Sequence, residues 1–255
     1  MPTSRAKIPF AIFFLERSGS SHLCSLLDSH PQIRCGAEEF TTRRLPETSP
    51  HEAPRYIHSR QLKLLEPNDD QSVAHLNNIF LRNEHASGFK LKYPIQFNRY
   101  PEIVDSLLAA KDSVRVIHLD RKNVLKKFVS KQVLVQQRSN DPDFRRSESV
   151  EFKPVHIKLD SMLETLARFE SQRRELKELA KPFEHSMTIE YERFNNDHQT
   201  LVNEILQFLA VDPDCKLASK FQKKTPQSMQ ESVANYGEMA RLVTGTPFER
   251  MLDRV

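Results

Sequence analysis

The chain has 255 residues, a formal net charge of +4 at pH 7, 38% hydrophobic and 28% charged residues, and only 5 glycines. This composition excludes collagen-like, low-complexity and disulfide-scaffold proteins. No apolar run approaches the ~20 residues that a membrane-spanning helix needs, so we expect no stable membrane insertion.

The first predicted elements are a strand, a loop and a helix near the N-terminus. Residues Ile8–Leu15 form an almost unbroken apolar run with β-branched and aromatic side chains, which is typical of a strand buried on both faces. A polar loop follows at Glu16–Ser21, and His22–Asp28 has leucines on one helical face. This order predicts the first half of a β–α–β unit.

Strands and helices continue to alternate further along the chain. Polar, Pro-containing segments predict loop and irregular helix at Arg43–Asn68 and a loop at Asn140–Pro154, and the tail from Lys216 predicts short helices joined by turns. The order predicts an α/β fold of three layers, with a central, mostly parallel sheet flanked by helices, in one domain over residues 1–255. The later predicted strands are Gly88–Ile95, Ser113–Leu119 and Ser186–Ile189, and the later predicted helices are Lys122–Gln137, Lys158–Lys181 and Asp197–Leu209.

The loop between the first strand and the first helix carries the clearest chemistry. Such a loop presents several unpaired N–H groups in one direction, and the helix dipole adds positive charge there. The small residues Ser18–Ser21 let the backbone approach a ligand closely, and Arg17 supplies a full charge. The pattern favours a site for a phosphate- or sulfate-sized anion. A serine-rich helix cap is the alternative interpretation.

A second polar pair follows the third predicted strand. Arg121 stands at the end of that strand, where α/β folds place their ligands. Ser130 lies about 10 Å along the next helix if the helix begins near Asn123, and it shares a face with that residue. The two side chains can line one crevice. Alternatively, Arg121 is a surface charge and Ser130 bonds to its own helix backbone.

Cysteines, histidines and charge exclude several other site types. No two of the cysteines at positions 24, 35 and 215 are spaced in sequence as a zinc half-site or a redox pair, and we predict that their thiols are buried and reduced. The 10 histidines form no metal-binding pattern, so we expect no metal. Basic residues occur in doublets rather than along a stripe with aromatic residues, so we expect no nucleic-acid partner. The sequence lacks GxxxxGK[ST], and we identify no apolar strand ending in Asp, which disfavours a nucleoside-triphosphate site.

Four segments resemble the sulfotransferase family that uses 3′-phosphoadenosine 5′-phosphosulfate (PAPS). Arg17–Ser21 resembles the family's 5′-phosphosulfate loop, in its Arg-first bacterial and carbohydrate-type form. Val116–Ser130 resembles the 3′-phosphate segment, where an Arg at a strand end and a Ser in the next helix hold the phosphate. Ile189–Glu192 resembles the "YE" strand end, whose Tyr lies near adenine, and Asp28–Phe40 resembles the "SHP…EF" stretch. The resemblance covers most of the chain and implies a P-loop-like nucleotide-binding topology.

The resemblance also implies PAPS as co-substrate, no metal, and a nucleotide site built from the two phosphate segments. Arg17 is then catalytic as well, since it faces the charge that grows on the departing phosphate. His22 and Arg193 depart from the residues usual at those positions. The basic pair before Thr225 is similar to the family's basic loop over the nucleotide. The implied nucleotide-binding residues are Arg17, Ser18, Gly19, Ser20, Ser21, His22, Arg121, Ser130, Tyr191, Lys223 and Lys224.

Transfer to a hydroxyl group requires a general base. Glu39 is the first candidate, because its Glu-Phe pair is similar to the glutamate proposed as base in the resembling bacterial enzymes. Glu38 and His22 are the alternatives. Lys90 and Lys92 share one face of a predicted strand. We interpret that face as solvated, and the alternative is that the two lysines face the acceptor or the sulfate.

The expected reaction moves a sulfuryl group from PAPS to a hydroxyl of a carbohydrate, lipid-linked sugar or small metabolite. A P-loop nucleotide kinase and an inactive nucleotide-binding relative are the competing interpretations. Acceptor pockets in such folds are built from variable loops, here residues 41–87 and 138–156. The sequences of these loops contain no pattern that identifies the acceptor molecule. The short, polar N-terminal segment is unlike a secretory signal, which predicts a cytoplasmic protein. The sequence makes no prediction of the oligomeric state.

Overall fold

A computed structural model describes residues 7–40, 69–140, 152–221 and 228–252 of the chain. These residues fall into two compact units. The first consists of the residues up to Asp120 together with Arg173–Phe221, and the second of Arg121–Gln172 together with the residues from Gln222 onward. The prediction of one domain over residues 1–255 stays a prediction, and the predicted loop and irregular helix at Arg43–Asn68 lie entirely outside the described residues.

The first unit contains a parallel sheet of five strands in the order β2-β3-β1-β4-β5. Phe14 at the end of β1 is level with Lys92 on β3 and with Leu119 on β4, so the carboxyl ends of these strands meet at one edge. The strands are β1 (Ile8–Phe14), β2 (Ile33–Gly36), β3 (Ala86–Lys92), β4 (Arg115–Asp120) and β5 (Ser186–Glu190).

Helices cover both faces of this sheet, which confirms the predicted α/β fold with three layers. The prediction of short helices in the tail is also confirmed for residues 228–252, which end in a 3-10 helix at Glu249–Met251. The helices are α1 (Ser20–Asp28), α2 (Asp69–Phe80), α3 (Ile95–Arg99), α4 (Pro101–Ala109), α5 (Val124–Asn140), α6 (Met162–Ala180), α7 (Arg193–Asn196), α8 (His198–Phe208), α9 (Met229–Ser232) and α10 (Tyr236–Val243).

Strand β1 is apolar throughout because both of its faces are covered. Phe10, Ile12 and Phe14 pack with leucines of α1 and α8 on one face of the sheet. Ala11 and Phe13 point the other way and pack with apolar residues of α2, α4 and the end of α6. Full burial of a side chain of this size contributes about 1.5–3 kcal/mol. The two clusters therefore fix β1 in the middle of the sheet and place the loop that follows it.

The second unit has its own apolar core, formed by α5, the first part of α6, α9 and α10. Val155 forms a single parallel bridge with Val233 in this unit. Lys127 of α5 is buried, and its ammonium nitrogen lies 3.8 Å from the centre of the Phe169 ring. A cation over an aromatic face is attracted by the ring quadrupole, which lowers the cost of burying this lysine.

In the described part of the chain, no helix combines the length and the hydropathy that crossing a membrane requires. Within the same residues, no group of three or more His, Cys, Asp or Glu side chains is arranged to hold a metal ion.

Candidate functional site

The loop between β1 and α1 turns through two residues with left-handed backbone conformations. Arg17 has a φ of 64° and Gly19 a φ of 83°. Between them, Ser18 is buried, and its hydroxyl donates to the carbonyl of Leu15 at 2.7 Å. Gly19 is the N-cap of α1 and has no side chain to accept a hydrogen bond from the first turn. The first-turn N–H groups are therefore arranged to bind an anion.

Tyr191 lies directly against this loop. Its backbone N–H donates to the carbonyl of Asp120 at 2.7 Å, so it extends the pairing of β5 with β4. A Cβ atom added to Gly19 would lie 2.6 Å and 2.7 Å from two carbons of the Tyr191 ring. Only glycine lets the ring approach this closely. The structure thus brings together the loop and the tyrosine that the sequence singled out separately.

His22 belongs to an aromatic group at the start of α1. Its ring meets those of Phe194 and His198 edge-on, with centroids 5.6 Å and 6.0 Å away. Because the carbonyl of Phe221 accepts a hydrogen bond from Nδ1 at 3.3 Å, this nitrogen carries the proton. Burial lowers the pKa of His22; the contact with Phe221 opposes the shift, and the charge of His198 adds to it.

Lys90 and Lys92 do not form the solvated face that the sequence analysis assigned to them. Lys90 is only 3% exposed, and its ammonium donates to the Ser21 hydroxyl at 3.0 Å. The same nitrogen lies 5.3 Å from the centre of the Phe14 ring. Lys92 donates to Glu38 at 3.0 Å. The interpretation as a solvated face was wrong, because period-two alternation places two lysines on one face without showing what that face contacts.

Glu39, which follows Glu38 in the chain, is buried in an ionic network with Arg82 and His75. Its side chain is 9% exposed, and its two oxygens lie 3.0 Å from a guanidinium nitrogen of Arg82 and 3.4 Å from Nε2 of His75. Gly36 makes room for it, since a Cβ there would lie 2.0 Å from Oε1 of Glu39. Burial alone would raise the pKa of Glu39, but His75 and Arg82 outweigh burial and lower it.

This network predicts that part of the protein's stability depends on pH. Because the pKa of Glu39 is lowered in the folded state, its contribution is present above the unfolded pKa of about 4.3 and is lost as the pH falls through the folded pKa. We expect Glu39→Gln to lower the free energy of unfolding by about 1–3 kcal/mol at pH 7. The difference from the wild type should shrink below about pH 4.

Urea denaturation at several pH values measures this effect. Glu178→Gln is the matched control, because Glu178 is 63% exposed and pairs with Lys181 on the surface. The control should change stability by less than about 1 kcal/mol at any pH. Parallel pH profiles of the wild type and Glu39→Gln would contradict the role assigned to the network.

Asp120 corrects the expectation that no apolar strand ends in Asp. It is the last residue of β4 and is 7% exposed. One of its oxygens lies 2.7 Å from Nε of Arg173. An arginine therefore neutralises this carboxylate in the structure, and it stabilises the end of the strand.

The predicted 3′-phosphate residues belong to the second unit. Arg121 follows β4 directly, and Ser130 lies half-buried in the second turn of α5. Asn123 caps that helix by accepting from the N–H of Lys126 at 2.7 Å. The partnership of Arg121 and Ser130 with the loop of the first unit stays a prediction. Lys223 and Lys224 lie outside the described residues.

Comparisons with known proteins find a matching family model and similar solved structures. A family model described as "Sulfotransferase family" matches residues 9–214 of the chain. Among solved structures, a sulfotransferase from Alicyclobacillus acidocaldarius is similar at 18% identity and a TM-score of 0.47, over 86% of this chain and 87% of that one. Mouse sulfotransferase SULT7A1 complexed with PAP is similar at 13% identity and a TM-score of 0.42, over 82% of this chain and 60% of that one. No curated protein matches the chain.

Proposed function

This chain belongs to the sulfotransferase family, and we propose that it moves a sulfuryl group from PAPS to a hydroxyl of a carbohydrate, lipid-linked sugar or small metabolite. The observation that carries the proposal is the buried ammonium of Lys90 at the N-terminal turn of α1. Lys90 and Lys92 share the single carboxylate of Glu38, so one positive charge remains beside the uncapped helix N–H groups and favours an anionic ligand. Cytoplasmic location remains a prediction of the sequence.

The residues of the loop fit the 5′-phosphosulfate of such a donor. Ser21 accepts a hydrogen bond from Lys90, which leaves its own O–H free to donate to an anion. The N–H groups of Ser20, Ser21 and His22 lie in the first turn of α1. Arg17 adds a guanidinium, which is suited to phosphate and sulfate oxygens.

Other parts of the proposed nucleotide site rest on the sequence alone. Arg121 and Ser130 are proposed to bind the 3′-phosphate, and the segment with Lys223 and Lys224 to add positive charge. Tyr191 is proposed to contact the adenosine. Its position against Gly19 supports a role in holding the loop in shape as well.

The proposed mechanism is an in-line displacement. The bond between sulfur and the bridging phosphate oxygen breaks as the acceptor oxygen bonds to sulfur, and the acceptor proton passes to a base. Arg17, Lys90 and the helix N–H groups stabilise the charge that develops on the departing phosphate. Glu39 is the proposed base, because its Glu-Phe pair is similar to the glutamate proposed as base in the resembling bacterial enzymes. The carboxylate lies in a network with Arg82 and His75, which lowers its pKa.

Calorimetric titration with 3′,5′-diphosphoadenosine (PAP) tests the proposal. We expect the wild type to bind PAP, and Arg121→Ala to weaken binding by about 1.5–3 kcal/mol through loss of a charged hydrogen bond. Arg168→Ala is the matched control, since Arg168 is exposed on α6. No heat with PAP at millimolar concentration would refute the proposal, and unchanged affinity would remove Arg121 from the site.

A parallel titration with ATP, with and without Mg²⁺, distinguishes the competing kinase interpretation. Metal-dependent binding of ATP without binding of PAP would favour a kinase. Binding of PAP without turnover on a broad panel of hydroxyl acceptors would instead identify an inactive relative.

A further inference from the structure

The carboxylate of Glu38 lies between the two lysines that project from the same face of β3. Its oxygens are 3.7 Å from Nζ of Lys90 and 3.0 Å from Nζ of Lys92. The backbone sets this position, because the N–H of Lys90 donates to the carbonyl of Ala37 at 3.3 Å. Glu38 therefore follows directly on the pairing of β2 with β3, and a sheet contact fixes its distance from the lysines.

Lys90 connects Glu38 to the anion loop. Its ammonium reaches the Ser21 hydroxyl while its side chain is only 4% exposed. An ammonium taken out of water is strongly destabilising unless an opposite charge and hydrogen bonds compensate. Glu38 supplies that negative charge, and the Ser21 hydroxyl supplies a hydrogen-bond acceptor. The three groups thus form one connected chain from β2 to the start of α1.

We propose that Glu38 is a positioning residue that holds the ammonium of Lys90 at Ser21 before the nucleotide binds. The proposal rests on the proposed function, because it concerns the same phosphosulfate loop. A lysine loses considerable rotamer freedom when it is ordered. When Glu38 is present, the entropy of the Lys90 side chain is lost on folding and not on nucleotide binding. The anion therefore binds next to a charge that is already in position. Lys92 shares the carboxylate and limits its motion.

The role differs from two simpler roles for the same carboxylate. A general base acts on the acceptor, so its removal lowers kcat without weakening the nucleotide complex. A carboxylate that merely lies near an anion repels it, so its removal strengthens binding. A positioning residue that acts through Lys90 gives a third result: its removal weakens binding, and only while Lys90 is present.

A double-mutant cycle measured by calorimetry with PAP separates these roles. We expect Glu38→Gln to weaken PAP binding about tenfold, the size of effect that loss of one charge-assisted hydrogen bond produces. In the Lys90→Met background, Glu38→Gln should cause no further weakening. In turnover assays, Glu38→Gln should raise KM for PAPS more than it lowers kcat. Glu178→Gln, which removes an exposed carboxylate, should leave PAP binding unchanged.

The outcomes assign the role. Tighter PAP binding by Glu38→Gln, or unchanged binding with reduced kcat, would overturn the proposal, as would equal effects with and without Lys90. Glu38→Asp keeps the charge on a shorter side chain, and partial recovery of binding by this variant supports the proposal if the Gln variant is unstable. If Glu38→Asp binds PAP as weakly as Lys90→Met does, the proposal is overturned. Failure of the wild type to bind PAP would instead refute the proposed function itself.

Discussion

Replacing Gly19 by alanine is expected to lower sulfotransferase activity about 100-fold, as misplacement of a binding loop by about 1 Å can do. The residue has a φ of 83°, where a side chain costs about 1–2 kcal/mol. The new Cβ would also lie 2.6 Å from Cε2 of Tyr191. Either the ring or the loop must move, and both border the proposed nucleotide. Activity with PAPS and calorimetry with PAP measure the loss.

Two other glycines provide matched controls for the free energy of unfolding. Gly245 has a φ of 76° with open space around it, so Gly245→Ala isolates the backbone cost of about 1–2 kcal/mol. Gly237 lies in α10, also in open space, so Gly237→Ala should be neutral or stabilising by up to about 1 kcal/mol. If Gly19→Ala is no less stable than Gly245→Ala and stays active, the contact between Gly19 and Tyr191 has no role.

The sheet could be predicted largely from apolar runs. The predicted strands corresponding to β1, β3, β4 and β5 are all confirmed, with their ends shifted by a few residues. Strand β2 was missed because Ile33–Gly36 has four residues, too few to establish a period. Helix α4 was missed as well, because it has only nine residues, although Ile103, Val104, Leu107 and Leu108 pack against the core at helical spacing.

The sequence indicates those parts of the candidate site whose functional groups lie next to each other in the chain. The residues of the β1–α1 loop are contiguous, so their composition alone indicated an anion site. Lys90 was misjudged because its partners Ser21 and Glu38 come from separate parts of the chain. The contact of Glu39 with Arg82, 43 residues away, had no sequence signal either. Ion pairs between elements that are distant in the chain depend on the packing of the whole unit. They produce no periodic pattern in the amino-acid sequence.

The choice of base leads to the second prediction with a large expected effect. Glu39→Gln keeps the size of the side chain but cannot accept the acceptor proton, so kcat should fall about 10²–10⁴-fold. PAP binding should change little, because Glu39 is not among the groups proposed to hold the phosphosulfate. Turnover must be measured below the unfolding temperature of the variant, since the same substitution removes a partner of Arg82 and His75.

Arg82→Gln separates proton transfer from anchoring of the fold. This variant keeps the carboxylate of Glu39 but removes a guanidinium that lowers its pKa. The acid limb of the kcat profile, which reports ionisation of the base, should therefore move to higher pH while kcat at neutral pH is largely retained. An anchoring role predicts the opposite pattern, in which both variants lose stability and the folded enzyme keeps its kcat. Loss of kcat in Glu38→Gln with full activity in Glu39→Gln would transfer the role of base to Glu38.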